Sequence, residues 1–174
     1  MATVCFDSPV GWIGLEVSPV GVRRVMLGVG KRPAVERALR AEPLVSHAGD
    51  SHDEDVLLDT ARAQLHDYLA GTRQTFDLPI DWTIGTAFQR RVWKATLKIP
   101  YGRLRSYGWV ATRVGGKQYS RAVGMALGAN PVPLIIPCHR VVAQDASLGG
   151  FSCGLSIKRQ LLRLEGTLAE LTRR

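Results

Sequence analysis

The sequence predicts an α/β (α+β) protein in two parts. A small β-meander with helices spans 1–84, and a mostly helical unit with a helix-turn-helix spans 85–174. Three observations carry this expectation. Short β-branched runs broken by Pro/Gly turns crowd the first thirty residues, whereas apolar residues at helical spacing dominate after residue 85. The charge divides at the same place. Residues 1–84 hold 8 Lys/Arg against 12 Asp/Glu, and residues 85–174 hold 15 against 3, within an overall net charge of +8. A split of that size points to two units, the second suited to a polyanion. A solubilising surface, or pairing with the acidic half, are the alternatives to nucleic acid.

Composition excludes several classes. The 45% hydrophobic and 22% charged content is that of a globular protein. No apolar run nears the roughly 20 residues of a membrane span. The N-terminus lacks the basic start and apolar core of a secretory leader, so a cytoplasmic location is expected. Cys5, Cys138 and Cys153 are too few and scattered for a disulfide framework or a CxxC metal site. His47, His52, His66 and His139 show no zinc spacing, so no metal is expected.

Taken in order, Thr3–Phe6 and Trp12–Val17 read as strands around the turn Asp7-Ser-Pro-Val-Gly11. Ser18-Pro-Val-Gly21 turns into a third strand, Val22–Val29. Ala34–Arg40 reads as a short helix and Glu42–Ser51 as a loop. Asp53–Ala70 is a helix with Val56, Leu57, Ala61, Leu65 and Leu69 inward, acidic in its first turn and stopped by Gly71. Thr75–Leu78 reads as a further short strand. No catalytic cluster shows in this half, which reads as a scaffold, and 79–85 links it to the next.

Thr86 is placed to cap a helix over Ala87–Lys98 with Phe88, Val92, Ala95 and Leu97/Ile99 inward. Trp93 reads as core rather than as a stacking platform. Ser106 caps Tyr107–Val114, Gly115-Gly116 turns, and Tyr119–Ala129 follows as the second helix of a helix-turn-helix. That second helix is unusually bare, with Ala122, Gly124, Ala126, Gly128 and Ala129. Each interior glycine costs about 1 kcal/mol of helix propensity, so close approach to something is implied. A tightly packed helix and a nucleic-acid groove, with Arg121 as the one long cation, fit the spacing equally. Leu155–Glu165 is a helix with Leu155, Leu161, Leu162 and Leu164 inward and Lys158, Arg159 and Arg163 outward. Residues 167–174 form a tail.

The stretch Asn130-Pro-Val-Pro-Leu-Ile-Ile-Pro-Cys-His-Arg-Val-Val142 carries the chemistry. Leu134–Ile136 reads as a buried extended segment that three prolines stiffen. It delivers Cys138 beside His139, a candidate nucleophile and base; a packing cysteine is the alternative. Neighbours in an extended chain face opposite ways, so a turn or a bridging water is needed to couple them. Glu165 sits at a helix C-terminus, the unfavourable end for a carboxylate. Orienting His139 would explain it, and solvent exposure would excuse it.

Phe88 to Gly166 resembles the methylated-DNA–protein-cysteine methyltransferases, the O6-alkylguanine-DNA alkyltransferases. The resemblance rests on Phe-Gln-Arg-Arg-Val-Trp93, Ile-Pro-Tyr-Gly102, Ser-Tyr107, Arg-Ala-Val-Gly124, Asn-Pro-Val-Pro133 and Ile-Pro-Cys-His-Arg-Val-Val142. It implies transfer of an alkyl group from O6-alkylguanine, and less readily O4-alkylthymine, in double-stranded DNA to Cys138, once per molecule and without cofactor. His139, held by Glu165, would be a water-assisted base. Tyr107 would donate to the base at N3, and Asn130 would hold the turn before the active-site arm. Arg121 would fill the stack left by a flipped nucleotide, with Ala122, Gly124 and Ala126 against the minor groove. Val141, Ser152, Phe151 and Pro133 would form the alkylguanine pocket. The protein would act as a monomer or cluster along DNA. Two departures stand out: Cys153 where the family commonly has glycine, and Phe151 where tyrosine is frequent. Cys153 could form a disulfide with Cys138 if the sulfurs come close enough.

Overall fold

The computed structural model describes residues 1–28, 30–40 and 51–172. Chain contacts divide it into two compact units, Met1–Ile84 and Gly85–Arg174.

In the first unit β1 (Ala2–Phe6), β2 (Ile13–Ser18) and β3 (Gly21–Met26) form an antiparallel meander in the order β1-β2-β3. Every residue of β2 is buried, because it is the central strand and α1 (Arg32–Arg40) and α2 (Ser51–Leu69) pack on the sheet. Gly14 allows this: a Cβ there would stand 2.7 Å from Val35 Cγ1. Burial of Glu16 is offset by Arg23, whose Nε lies 3.3 Å from its carboxylate and whose Nη1 lies 3.2 Å from Asp81. Helix α2 buries Leu58, Ala61, Leu65, Tyr68 and Leu69, while Val56, expected inward, is 54% exposed. Leu58 and Tyr68 complete the stripe in its place. Thr75–Leu78 is not a strand; the chain pairs only at Ile80, in a parallel bridge to Val22. Val29, residues 42–50 of the expected loop and His47 lie outside the described residues, and Ser51, read as the end of that loop, begins α2.

In the second unit α3 (Ala87–Thr96), α4 (Tyr107–Val114) and α5 (Ser120–Gly128) pack on one another. Thr86 caps α3 in a full capping box with Gln89, and the Ser106 hydroxyl accepts from Trp109 N to start α4. Trp93 is core, as read, and its Nε1 donates to the Ala126 carbonyl at 2.8 Å. Leu97 is 37% exposed because α3 ends at Thr96, and Ile99 fills the core instead. Gly115 and Gly116 turn with φ of 144° and 141°, values L side chains rarely adopt, into a 3-10 turn at Lys117–Tyr119 before α5. The rest comprises β4 (Arg105–Ser106), parallel to β5 (Val141–Val142), then α6 (Leu155–Leu164) and α7 (Leu168–Thr172). The expected tail is thus partly helical, with Thr167 buried before it. Leu155, expected inward, is 41% exposed at the first turn of α6. Among the described residues no helix is long and apolar enough to cross a membrane.

Candidate active site

Leu134–Ile136 does not run extended as its aliphatic character predicts. Asn130 Oδ1 accepts from Val132 N at 3.1 Å and Ile136 N reaches back to Val132 O at 2.9 Å, closing a buried turn. Leu134, fully buried, is held there at φ 75°. A left-handed leucine costs on the order of 1–2 kcal/mol, and the surrounding packing sustains it. Cys138–Arg140 then forms a single 3-10 turn. A turn at this point is one of the two devices the sequence reading called for, since it takes the thiol and the imidazole off opposite faces.

Cys138 is buried and lines a cavity together with Tyr107, Gly124, Gly150, Phe151 and Ser152. Its volume, ≈ 90 Å³, is several times the roughly 10–15 Å³ that one water requires. Asn130 Nδ2 donates to Cys138 Sγ at 3.1 Å and to Ile136 O at 3.0 Å, tying the thiol to the start of the arm. Burial pushes the Cys138 thiol up to about 11 despite the Asn130 hydrogen bond.

Behind the thiol, His139 Nε2 lies 2.7 Å from Glu165 Oε1, both side chains fully buried. Burial lowers the imidazole below its ordinary value, against the pull of Glu165. A neutral ring that donates from Nε2 carries its lone pair on Nδ1. Burial raises the Glu165 carboxyl, but hydrogen bonds from His139 and Arg140 more than reverse this and hold it at about 2. Arg140 Nε sits 3.0 Å from both Glu165 oxygens and Gly102 N donates to Oε2 at 3.0 Å. The unfavourable position of Glu165 at the end of α6 is therefore offset by four directed donor contacts.

Lys158 was expected to point outward. It is fully buried, and its Nζ donates to the carbonyls of Val141 at 2.7 Å, Leu148 at 2.5 Å and Gly150 at 3.2 Å. Burial lowers its ammonium to about 8, with the neighbouring Cys138 acting the other way. Helical periodicity gave the wrong face because three inward carbonyls make a charged residue acceptable there. Arg140 also escaped the reading, although Pro-Cys-His-Arg placed it beside the relay. Its Nη1 donates to Ile99 O at 2.7 Å.

The remaining predicted residues divide. Phe151 and Ser152 line the cavity, whereas Val141 and Pro133 do not, and the Val141 carbonyl is engaged by Lys158. Tyr107 lines the cavity with its hydroxyl against the loop, where Gly150 N donates to it at 3.2 Å. Gly149, at φ 64°, permits that approach, because a Cβ would stand 2.8 Å from the hydroxyl. Arg121 is exposed on α5 and Ala122 and Gly124 are partly so, but Ala126 is 3% exposed and faces the core, contrary to expectation. Cys138 and Cys153 are both thiols, and the Cys153 charge helps raise Cys138. Among the described residues no three His, Cys, Asp or Glu side chains gather as a metal site would require.

Fold and site together define a class: a helix-turn-helix unit with a buried thiol backed by an imidazole–carboxylate pair. Residues 87–167 match the family model for the 6-O-methylguanine DNA methyltransferase DNA-binding domain. A methylated-DNA–protein-cysteine methyltransferase of Methanosarcina acetivorans is 38% identical over 93% of this chain and 96% of its own. The Mycobacterium bovis protein of that name is 49% identical over 61% of this chain and 64% of its own. The crystal structure of Mycobacterium tuberculosis O6-methylguanine methyltransferase superposes with TM-score 0.74 at 36% identity, covering 94% of this chain and 91% of that one. Mycobacterium tuberculosis OGT in complex with DNA gives 0.72 at 34%, covering 94% and 92%. The chain belongs to the methylated-DNA–protein-cysteine methyltransferase family.

Proposed function

We propose that the protein repairs DNA by moving the alkyl group of O6-alkylguanine, and less readily O4-alkylthymine, onto Cys138. The observation that carries this reading is a thiol on a cavity wall, gripped by Asn130 and backed by the His139–Glu165 pair. The resemblance to DNA-binding relatives supports the partner. In the duplex the damaged base hides its reactive edge, so it swings out into the cavity, at a cost of a few kcal/mol. The basic unit offsets that through phosphate contacts that read no sequence. Helix α5 enters the minor groove, Arg121 takes the vacated place in the stack, and residues 1–84 act as scaffold. The protein acts as a monomer.

In the transfer, a water carries the Cys138 proton to His139 Nδ1 and Glu165 stabilises the resulting imidazolium. Sulfur then attacks the alkyl carbon, the carbon–O6 bond breaks, and Tyr107 donates to N3 so that guanine leaves neutral. Lys158 fixes the loop carrying Gly150 and so acts as a positioning residue. A thioether is a very poor leaving group, so each molecule reacts once. The test mixes protein with a duplex containing O6-methylguanine and weighs intact protein and peptides. The expected result is one added methyl on the Cys138 peptide, saturating at one per protein and absent in Cys138→Ser. Turnover beyond one, or methylation elsewhere, overturns the reading.

A further inference from the structure

One residue on the outward face of α5 has no part in the reaction above. Met125 is 73% exposed, the most exposed large apolar side chain among the described residues. It lies one turn after Arg121, at i+4, and between Gly124 and Gly128, both of which line the cavity. Val123, Ala126 and Leu127 of the helix are buried, and its outward neighbours from Ala122 on are Ala and Gly, so Arg121 and Met125 are the long side chains that α5 exposes. Single exposed apolar residues are ordinary on proteins. This one instead stands on a helix without an acidic residue, in a unit with 15 Lys/Arg against 3 Asp/Glu. That surface suits a polyanion, and a polyanion with an apolar interior is a nucleic-acid duplex.

We propose that Met125 is an apolar wedge for duplex DNA, seated in the minor groove against the base step beside the one Arg121 enters. The proposal rests on the reading of α5 as the DNA-facing helix. An unbranched, polarisable thioether adapts to an irregular surface, and methionine is among the side chains that proteins insert between base steps. The bare neighbours let the backbone approach, and Met125 fills what that approach leaves open. The contact is made only with duplex, because the isolated base enters the cavity without meeting the outer face of α5.

The experiment compares wild type, Met125→Ala and Met125→Leu at sub-saturating substrate, using an O6-methylguanine duplex and a free O6-alkylated guanine base. Partial burial of a methionine predicts a loss of about tenfold in duplex rate for Met125→Ala. Met125→Leu keeps apolar reach and recovers most of it. The free-base rate stays unchanged, and so does the slope of binding against salt, since no charge is lost. An unchanged duplex rate in Met125→Ala overturns the proposal, and so does a parallel loss with the free base, which would assign Met125 to the cavity. If wild type itself takes no methyl from the duplex, the repair reading fails first.

Discussion

Glu165→Gln tests the relay most directly, because the substitution keeps shape and removes only charge. The carboxyl sits at about 2 against an ordinary 4.5. That depression corresponds to on the order of 3 kcal/mol favouring the folded state with Glu165 ionised. The sign follows from proton binding. Between pH 4.5 and 2 the unfolded chain holds the proton and the folded chain does not, so stability falls with acid across that window. Above 4.5 the contribution is complete. In Glu165→Gln it is missing at every pH, and the buried Arg140 guanidinium loses its counter-charge, so the loss at pH 7 is about 3–5 kcal/mol. Urea denaturation of both proteins from pH 7 to pH 2.5 measures this. The difference between them is expected to shrink by about 3 kcal/mol as the pH falls, and contributions from other carboxyls cancel. A pH-independent difference refutes the assignment of the acid-labile stability to Glu165.

Lys158→Met replaces the ammonium with a chain of similar length. The cost of burying the charge, on the order of 3 kcal/mol from its descent to about 8, is relieved, while three carbonyls at about 1–3 kcal/mol each lose their donor. Stability at pH 7 therefore falls by between about 0 and 6 kcal/mol. Alkyl transfer falls by more than tenfold as the loop around Gly150 loosens, read by single-turnover mass spectrometry. Gly149→Ala places a methyl against the Tyr107 hydroxyl at φ 64°. It should cost about 1–3 kcal/mol in denaturant midpoint and slow alkyl transfer, because the loop and Tyr107 can no longer both keep their places.

Much of this was legible because local chemistry and global packing agree. Thr86 and Ser106 announced their helices through hydroxyls that cap them, and the double glycine at 115–116 marked a turn that only glycine enters easily. Glu165 betrayed itself by standing at the wrong end of a helix. The misreadings share one cause: a polar or apolar label was taken as a direction. Lys158 looked outward until three backbone carbonyls supplied its partners, and these come from residues up to seventeen positions away. Leu134–Ile136 looked like a strand because it is aliphatic, yet the Asn130 side chain and the prolines close it into a turn. Ala126 looked like groove surface because it is small. Its smallness serves the core instead, where Trp93 reaches the carbonyl beneath it.

The electrostatics of the site explain why so buried a sulfur can be reactive at all. With burial pushing the thiol up to about 11 and the imidazole down from its ordinary value, handing the proton to His139 is uphill. The resting site therefore holds a neutral thiol, and neutral buried thiols are inert. Cys153 adds to that resistance, yet several groups around the thiol favour the opposite state. The Asn130 amide donates to sulfur, the Lys158 ammonium lies within electrostatic reach, and the Glu165 carboxylate faces the His139 ring, whose cationic form it would favour. These groups are fixed by backbone and by one another, so they need no rearrangement when charge develops. The uphill step is then part of the reaction barrier rather than a standing population of thiolate. Reactivity stays withheld until an electrophilic carbon occupies the cavity, where sulfur can convert its charge into a bond.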